Sequence, residues 1–382
     1  MIKKLLIISL LFVTLFIFRP EVIATTDIPF TPEEYQLNLY RAKVLDIKDT
    51  TIINIDENKQ QTIQIAEIEI LNKDYKGMIT EVRNTLSGNP LYDIELRKGL
   101  KISVHAEEDN DGKVSFYVMN YERSGYMLHL IALFLFLLIL IGRFKGLKAI
   151  MALSVIILLI LYVLIPLLLK GYSPILVSVM VCTLSTIITL TITAGFNKKS
   201  GAAIIGTIGG LIIGGLIAYS YGIIAKLTGF STSDAGMLLY LPGNIPFDFR
   251  GLLFAGIIIG ALGASMDVAI SISSALTEIQ KENPNISLKK LIQSGFNIGK
   301  DIMGTMVNTL ILAYTGGTLS TIIIFIGYQK TLNEIVNLDS VATEIVRAIT
   351  GSIGLICAIP ITIFAFCILN KRQLINERGI KE

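Results

Sequence analysis

The stretch GLLFAGIIIGALGASMDVAISISSALT, residues Gly251 to Thr277, is apolar or small throughout except for one carboxylate, Asp267. Because a helix rises about 1.5 Å per residue, about 20 such residues cross the hydrocarbon core of a bilayer. The stretch therefore predicts a membrane-spanning helix that carries an ionisable group well inside it. A charge at the bilayer centre costs about 2.5–3.5 kcal/mol, so Asp267 needs a partner, an ion, a water-filled cavity or a proton.

The composition of the whole chain indicates the same class of protein. Of its 382 residues, 52% are apolar and only 16% are charged, which is more apolar surface than a soluble domain can bury. The net charge of +3 is too small to indicate a nucleic-acid partner. The sequence therefore predicts a polytopic α-helical protein whose main partner is the lipid bilayer.

Two segments precede the main helical region. Residues 1–24 combine a basic MIKK start, a short apolar core and a VIA cleavage pattern, which is typical of either a signal peptide or a signal anchor. Residues 26–124 contain the β-branched or alternating runs RAKVLDI, TIQIAEIEIL, KISVHAE and KVSFYVMNY. We expect an extracytoplasmic all-β domain, either an OB-like barrel or a sandwich.

Seven further apolar runs between residues 125 and 370 predict a transmembrane bundle. They are about 126–142, 148–169, 174–195, 201–226, 251–277, 302–328 and 341–369. Lysine and arginine gather in alternate connections and in the tail, residues 371–382. The positive-inside rule then places these connections and the C-terminus in the cytoplasm, with the β-domain outside.

Polar side chains form stripes on two successive helices. The first stripe recurs at steps of three or four and consists of Gly256, Gly260, Gly263, Asp267, Ser271, Ser274 and Glu278. The second consists of Ser294, Asn297, Asp301, Thr305, Asn308 and Thr315. Facing stripes would line a hydrated pathway, because their oxygens suit a hard cation or a proton relay. The alternative is hydrogen bonding that only holds the helices together.

We expect the bundle to enclose Asp267, with Asn308 and Thr305 as its neighbours. Asp301 falls at the start of the predicted 302–328 helix, where it can act as a cap or a helix-dipole partner. Asp301 would then lie at the membrane edge, about 15 Å in depth from Asp267. An aspartyl dyad needs both carboxylates at one depth, so we expect no enzyme.

Glycines predict two close-packing faces. They are Gly206, Gly210 and Gly214 on one span, and Gly256, Gly260 and Gly263 on another. The first face can lie within the bundle or between subunits. Glu344 and Arg347 are three residues apart and can form an ion pair along one helix face. The three cysteines lie in apolar spans and the two histidines are far apart, so we expect no metal site and no cofactor.

The blocks GALGASMDVAISISSALTEI and SGFNIGKDIMGTMVNTLILAYTGG closely resemble the YibE/F family of bacterial multi-pass membrane proteins. The family pattern maps onto Asp267, Ser271, Asn297, Gly299, Asp301, Gly304, Thr305, Asn308, Thr309 and Tyr314. The preceding β-domain is similar to that of the longer, YibE-type members. The resemblance implies a location in the bacterial cytoplasmic membrane and a hetero-oligomer with a shorter, YibF-type relative, beside the alternative of a homo-oligomer.

Two functions are compatible with these features. The first is a permease or channel subunit for a small solute or cation. Its candidate pathway residues are Asp267, Ser271, Ser274, Asn297, Asp301, Thr305, Asn308 and Tyr314. The second is a membrane scaffold or receptor whose β-domain binds an envelope partner, without transport.

Overall fold

The structure, a computed structural model, describes residues 38–56, 59–108, 114–231, 233–241 and 246–376. The predicted signal segment, residues 1–24, and the end of the predicted tail, residues 377–382, lie outside the described residues. The chain divides into two compact units that meet, along the sequence, between residues 137 and 138. The first contains the β-strands and the second contains most of the helices.

The first unit is a nearly closed antiparallel barrel, which confirms the predicted all-β domain. Its strands are β1 (Leu39–Asp56), β2 (Lys59–Ile70), β3 (Ile79–Leu86), β4 (Lys101–Glu108) and β5 (Val114–Tyr121). They follow the order β3-β2-β1-β4-β5, and the outer strands β3 and β5 contact each other. The sequence runs identified above correspond to β1, β2, β4 and β5.

Strand β3 has no counterpart among those runs, because its inward face is partly polar. Only Val82 and Asn84 are buried in this strand. The side chain of Asn84 donates to the carbonyl of Ile94 at 2.7 Å and to the side chain of Gln64 at 3.3 Å. A buried amide that is hydrogen-bonded in this way is tolerated in a core, although it breaks the alternation of apolar residues.

The second unit is a bundle of helices, the first of which begins in the first unit. The helices are α1 (Ser124–Leu159), α2 (Ile165–Leu169), α3 (Pro174–Ala194), α4 (Lys198–Ile224), α5 (Ser233–Met237), α6 (Phe249–Glu282), α7 (Leu288–Gly317), α8 (Leu319–Gly327), α9 (Leu332–Val336) and α10 (Asp339–Asn376). A π-helical turn, Ile160–Leu164, continues α1 into α2. The largest apolar core lies where α6, α7 and α10 pack together.

Five helical segments of the described chain are long and apolar enough to cross a membrane, or six if α7 and α8 are one bent span. The protein is therefore a membrane protein. The first segment, Ser124–Leu169, covers both the 126–142 run and the 148–169 run. A kink at Arg143, with φ 47° and ψ −124°, separates the two runs.

The predicted helix 302–328 is wrong at its start and in its interior. Helix α7 begins at Leu288, because the Ser287 side chain caps it by accepting from the Lys290 backbone. The helix then ends at Gly317, and α8 continues at an angle of 59°. Two glycines lower helix propensity there. The Thr318 hydroxyl donates to the carbonyls of Tyr314 and Thr315, which competes with helical pairing.

Candidate functional site

Helix α6 has one buried face and one exposed face. The buried face is apolar and includes Leu253, Phe254, Ile258, Leu262, Met266, Val268, Ile272 and Leu276. The opposite face carries the predicted polar stripe: Gly256, Gly260, Gly263, Asp267 and Ser271 are exposed, and Ser274 is half-buried. The stripe therefore exists as predicted, but it faces away from the bundle core.

Helix α7 is divided in the same way. Leu291, Gly295, Gly299 and Leu310 are buried against the bundle. The polar stripe lies on the other side, where Asn297, Asp301, Thr305 and Asn308 are exposed. We refer to the exposed Asp267, Ser271, Asn297, Asp301, Thr305 and Asn308 as the α6–α7 polar face.

The two helices run antiparallel, which sets the relative depth of their polar groups. The Tyr314 hydroxyl lies next to Gly260, only 2.7 Å from where a Cβ on that glycine would be. Further along, a Cβ on Gly299 would be 3.6 Å from Cδ1 of Ile272. Interpolation between these contacts places Asp301 about four residues from the level of Asp267, which is slightly more than one helical turn, or about 6 Å of depth.

This register corrects the predicted separation of about 15 Å between the two carboxylates. The sequence interpretation assumed a helix that starts near residue 302, and so put Asp301 at the membrane edge. Because α7 begins at Leu288, Asp301 lies about 20 Å along its helix. Asp267 and Asp301 therefore lie at similar depths, so a difference in depth is no reason to assign them different roles.

The prediction that the bundle encloses Asp267 is also wrong for a single chain. Among the described residues, no hydrogen bond or ion pair reaches the side chain of Asp267, Asp301 or Asn308. The Thr305 hydroxyl donates to the carbonyl of Ile302 in its own helix, at 2.9 Å. Polar groups that have no protein partner in a membrane helix require either water or a second polypeptide.

The two glycine faces have different surroundings. Gly206, Gly210 and Gly214 lie against α10, where a Cβ would meet Thr362, Ala358 or Gly354. By contrast, a Cβ on Gly256 or Gly263 would have no atom within 4 Å in the part of the chain that the structure describes. These two glycines leave room for another helix to pack closely against α6, and no helix of the described chain occupies that position.

A second polar region lies at the break between α7 and α8. Here a cavity of about 690 Å³ is bounded by the end of α7, the start of α8 and the start of α10. Tyr314 contributes to its wall. So do Glu344 and Arg347, whose Oε1 and guanidinium nitrogen are 3.5 Å apart.

The sequence stripe includes one hydroxyl of this cavity, that of Thr315, but not the others. These belong to Ser231, Thr318, Thr321 and Ser340. The pair Gly316–Gly317 at the end of a polar stripe was the available signal, because adjacent glycines favour a break in a helix. The sequence nevertheless predicts a continuous span, because the residues beyond this short polar segment, LILA before it and IIIFI after it, are apolar.

Two family models match this chain. One, described as YibE/F-like protein, matches residues 130–372, and the other, described as YibE/F family N-terminal domain, matches residues 38–121. The two matches correspond to most of the helical region and to the barrel. No curated protein and no solved structure matches the chain.

Proposed function

The chain belongs to the YibE/F family, and from that premise we propose that it is a permease or channel subunit that moves a cation or small solute across the bacterial cytoplasmic membrane. The observation that carries the proposal is the α6–α7 polar face. It places Asp267 and Asp301 at levels that differ by about one helical turn on two apolar, antiparallel membrane helices.

The chemistry of this face suits a hard cation. Carboxylate, amide and hydroxyl oxygens are the preferred ligands of such ions. Asp267 and Asp301 supply the charge, and Ser271, Thr305 and Asn308 supply neutral oxygens at nearby levels. A carboxylate facing lipid would cost several kcal/mol, so a water-filled path or a bound cation is the favourable surrounding.

A second copy of the chain would complete the path. The polar face carries hydrogen-bond donors, such as the Asn308 amide, and acceptors, such as Asp267, so it can complement itself across a two-fold axis. The exposed glycines Gly256 and Gly263 leave room for close helix approach. We therefore propose a homodimer whose cation path lies between the two α6–α7 polar faces.

The proposed topology has seven spans after the exported N-terminal segment. The Ser124–Leu169 segment contains 46 residues, which is about twice the roughly 20 that one helix needs to cross a bilayer core. The kink at Arg143, with Lys145 and Lys148 nearby, divides it at a cytoplasmic turn. In this proposed topology the barrel lies outside the cell and the C-terminus lies inside.

Thermal stability of the purified protein tests the cation site. A ligand that binds only the folded state raises the melting temperature with its concentration. Sodium, potassium, calcium and magnesium salts and a series of pH values would be compared for wild type, Asp267→Asn and Glu278→Gln. Glu278 is the matched control, because it lies on the same helix but pairs with Lys281 at the exposed inner end.

We expect one cation, or protons, to stabilise wild type and Glu278→Gln but not Asp267→Asn. Uptake of that cation into proteoliposomes should show the same pattern. Equal flux through wild type and Asp267→Asn would contradict a role for Asp267 in transport. No response to any ion or pH in all three proteins would favour a scaffold instead.

The alternative function has one structural feature in its favour. The β1–β2 hairpin extends beyond the barrel, since β1 pairs with β4 only over Leu39–Lys43. Ile52 and Ile53 are exposed on this extension. A receptor role would make Ile52→Ser or Ile53→Ser more damaging in cells than Asp267→Asn, and helices alone would not rescue a deletion strain.

A further inference from the structure

The cavity at the break between α7 and α8 is large enough to hold a small organic molecule. Its volume of about 690 Å³ lies within the range of about 300–1,000 Å³ that is typical of ligand sites. One wall is hydrocarbon, formed by Ile311, Ile322, Ile345 and Ile349. Hydroxyls and one pair of opposite charges, Glu344 and Arg347, provide the polar part.

The charged pair in this cavity is poorly satisfied. The side chains of Glu344 and Arg347 are only 22% and 28% exposed. Their separation of 3.5 Å is longer than the roughly 2.8 Å of a charge-assisted hydrogen bond. Nε of Arg347 is buried and has no hydrogen-bond partner among the described residues. A half-buried guanidinium with unused donors favours a further acceptor, and a planar carboxylate fits its geometry best.

The helix ends around the cavity provide both electrostatic poles. Thr318 and Thr321 lie at the start of α8, and Ser340 lies at the start of α10. The positive ends of these helix dipoles favour an anionic group. Tyr314 and Thr315 belong to the last turn of α7, whose negative end favours a cationic group.

We propose that this cavity binds a small zwitterion, with its carboxylate on Arg347, its protonated amine on Glu344 and its side chain against the isoleucine wall. A ligand that carries both charges gives Arg347 a carboxylate in place of Glu344, and it gives Glu344 a protonated amine in place of Arg347. A ligand with a single charge would leave either Glu344 or Arg347 half-buried without a counter-charge, which is unfavourable. The site goes beyond the proposed cation path, because neither of its charged residues lies on the α6–α7 polar face.

The first test compares ligands on the wild-type protein. The melting temperature of the full chain in detergent would be measured against glycine, alanine, leucine and phenylalanine. Leucine has two matched analogues that keep its hydrocarbon: 4-methylpentanoate lacks the amine, and 3-methylbutylamine lacks the carboxylate. We expect at least one zwitterion to raise the melting temperature at millimolar concentration. Each single-charge analogue should bind about tenfold or more weakly than leucine, because it leaves one half-buried charge unpaired.

The second test uses variants, each checked for a cooperative melting transition without ligand. Arg347→Gln and Glu344→Gln should each weaken zwitterion binding about tenfold or more. If the charge variants do not fold, Tyr314→Phe is tested in their place, because it removes only a hydroxyl from the cavity wall. Glu278→Gln, which removes a carboxylate far from the cavity in sequence, should bind like wild type.

Three results would overturn the proposal. They are an absence of any stabilisation by the four zwitterions, equal binding of leucine and either single-charge analogue, and unchanged binding by a folded Arg347→Gln protein. Asp267→Asn separates this inference from the cation path, because it should lose the cation response and keep the zwitterion response. Failure of either proposal can thus be recognised while the other stands.

Discussion

The backbone carbonyl of Gly354 lies so close to Gly210 that a Cβ on Gly210 would be 2.5 Å from the carbonyl oxygen. The same Cβ would lie 2.7 Å from the Cβ of Ala358. Helices α4 and α10 therefore pack backbone against backbone, which only small residues on both helices permit.

We expect Gly210→Ala to destabilise the helical unit. The added methyl group clashes with backbone and cannot be relieved by a side-chain rotation, so a cost of about 1–3 kcal/mol is typical. Gly142→Ala is the matched control, because a Cβ there would have no atom within 4 Å in the described chain. Thermal unfolding in detergent measures both. Equal melting temperatures would contradict the close contact of α4 with α10.

The sequence predicted the faces of α6 and α7 but not the direction in which they point. A repeat of three to four residues identifies which side chains share a face, because it depends only on helix geometry. Whether Asp267 faces its own bundle or a neighbour depends on the packing of α3, α4 and α10 against the apolar side of α6. That packing is a long-range property. The sequence does not predict the break at Thr318 for a similar reason, since the apolar runs on either side of its short polar segment also suit a continuous helix.

Cross-linking tests the proposed dimer. In a background without Cys182, Cys357 and Cys367, Ser271→Cys places a thiol on the α6–α7 polar face. We expect oxidation in membranes to give a disulfide-linked dimer. Ser220→Cys is the control, because Ser220 is exposed on α4, a helix that carries none of the residues of that face. A cross-link to a shorter polypeptide would show that a relative, and not a second copy, packs against the polar face. The same yield of cross-linked dimer from both variants would indicate random collision.

Labelling of single cysteines tests the proposed topology. Lys281 follows the polar stripe of α6, and Lys330 follows α8. The positive-inside rule predicts Lys281 in the cytoplasm and Lys330 outside. A membrane-impermeant maleimide applied to intact cells should therefore label Lys330→Cys, and Lys281→Cys only after lysis. The reverse labelling pattern would contradict the proposed topology and place each connection on the opposite side of the membrane.

The barrel contains a carboxylate whose effect on stability should depend on pH. Asp93 accepts hydrogen bonds from the Ser87 backbone N–H, the Gly88 backbone N–H and the Ser87 hydroxyl. The backbone hydrogen bond from Ser87 is the main cause that holds the pKa of Asp93 below its ordinary value of 3.8. The stabilisation is therefore complete above pH 3.8 and lost as the pH falls through the lower folded value.

Asp93→Asn should accordingly lower the stability of the barrel at neutral pH, and the difference from wild type should vanish in acid. Hydrogen exchange of the peptide that contains Ser87 and Gly88 measures this locally. Asp74→Asn is the control, since the Asp74 side chain has no hydrogen-bond partner in the described chain. A difference between wild type and Asp93→Asn that persists at pH values well below 3.8 would contradict the assignment.

A double-mutant cycle asks whether Asp267 and Asp301 form one cation site. If both carboxylates bind the same ion, either asparagine substitution alone removes most of the cation-induced rise in melting temperature. The double variant then loses little more, because groups that act as a unit are not additive. Asp267→Asn combined with Glu278→Gln is the reference cycle, and it should lose no more than Asp267→Asn alone. If Asp301→Asn keeps the full cation response, the ion contacts Asp267 without Asp301, and the depth shared by the two carboxylates has no role in binding.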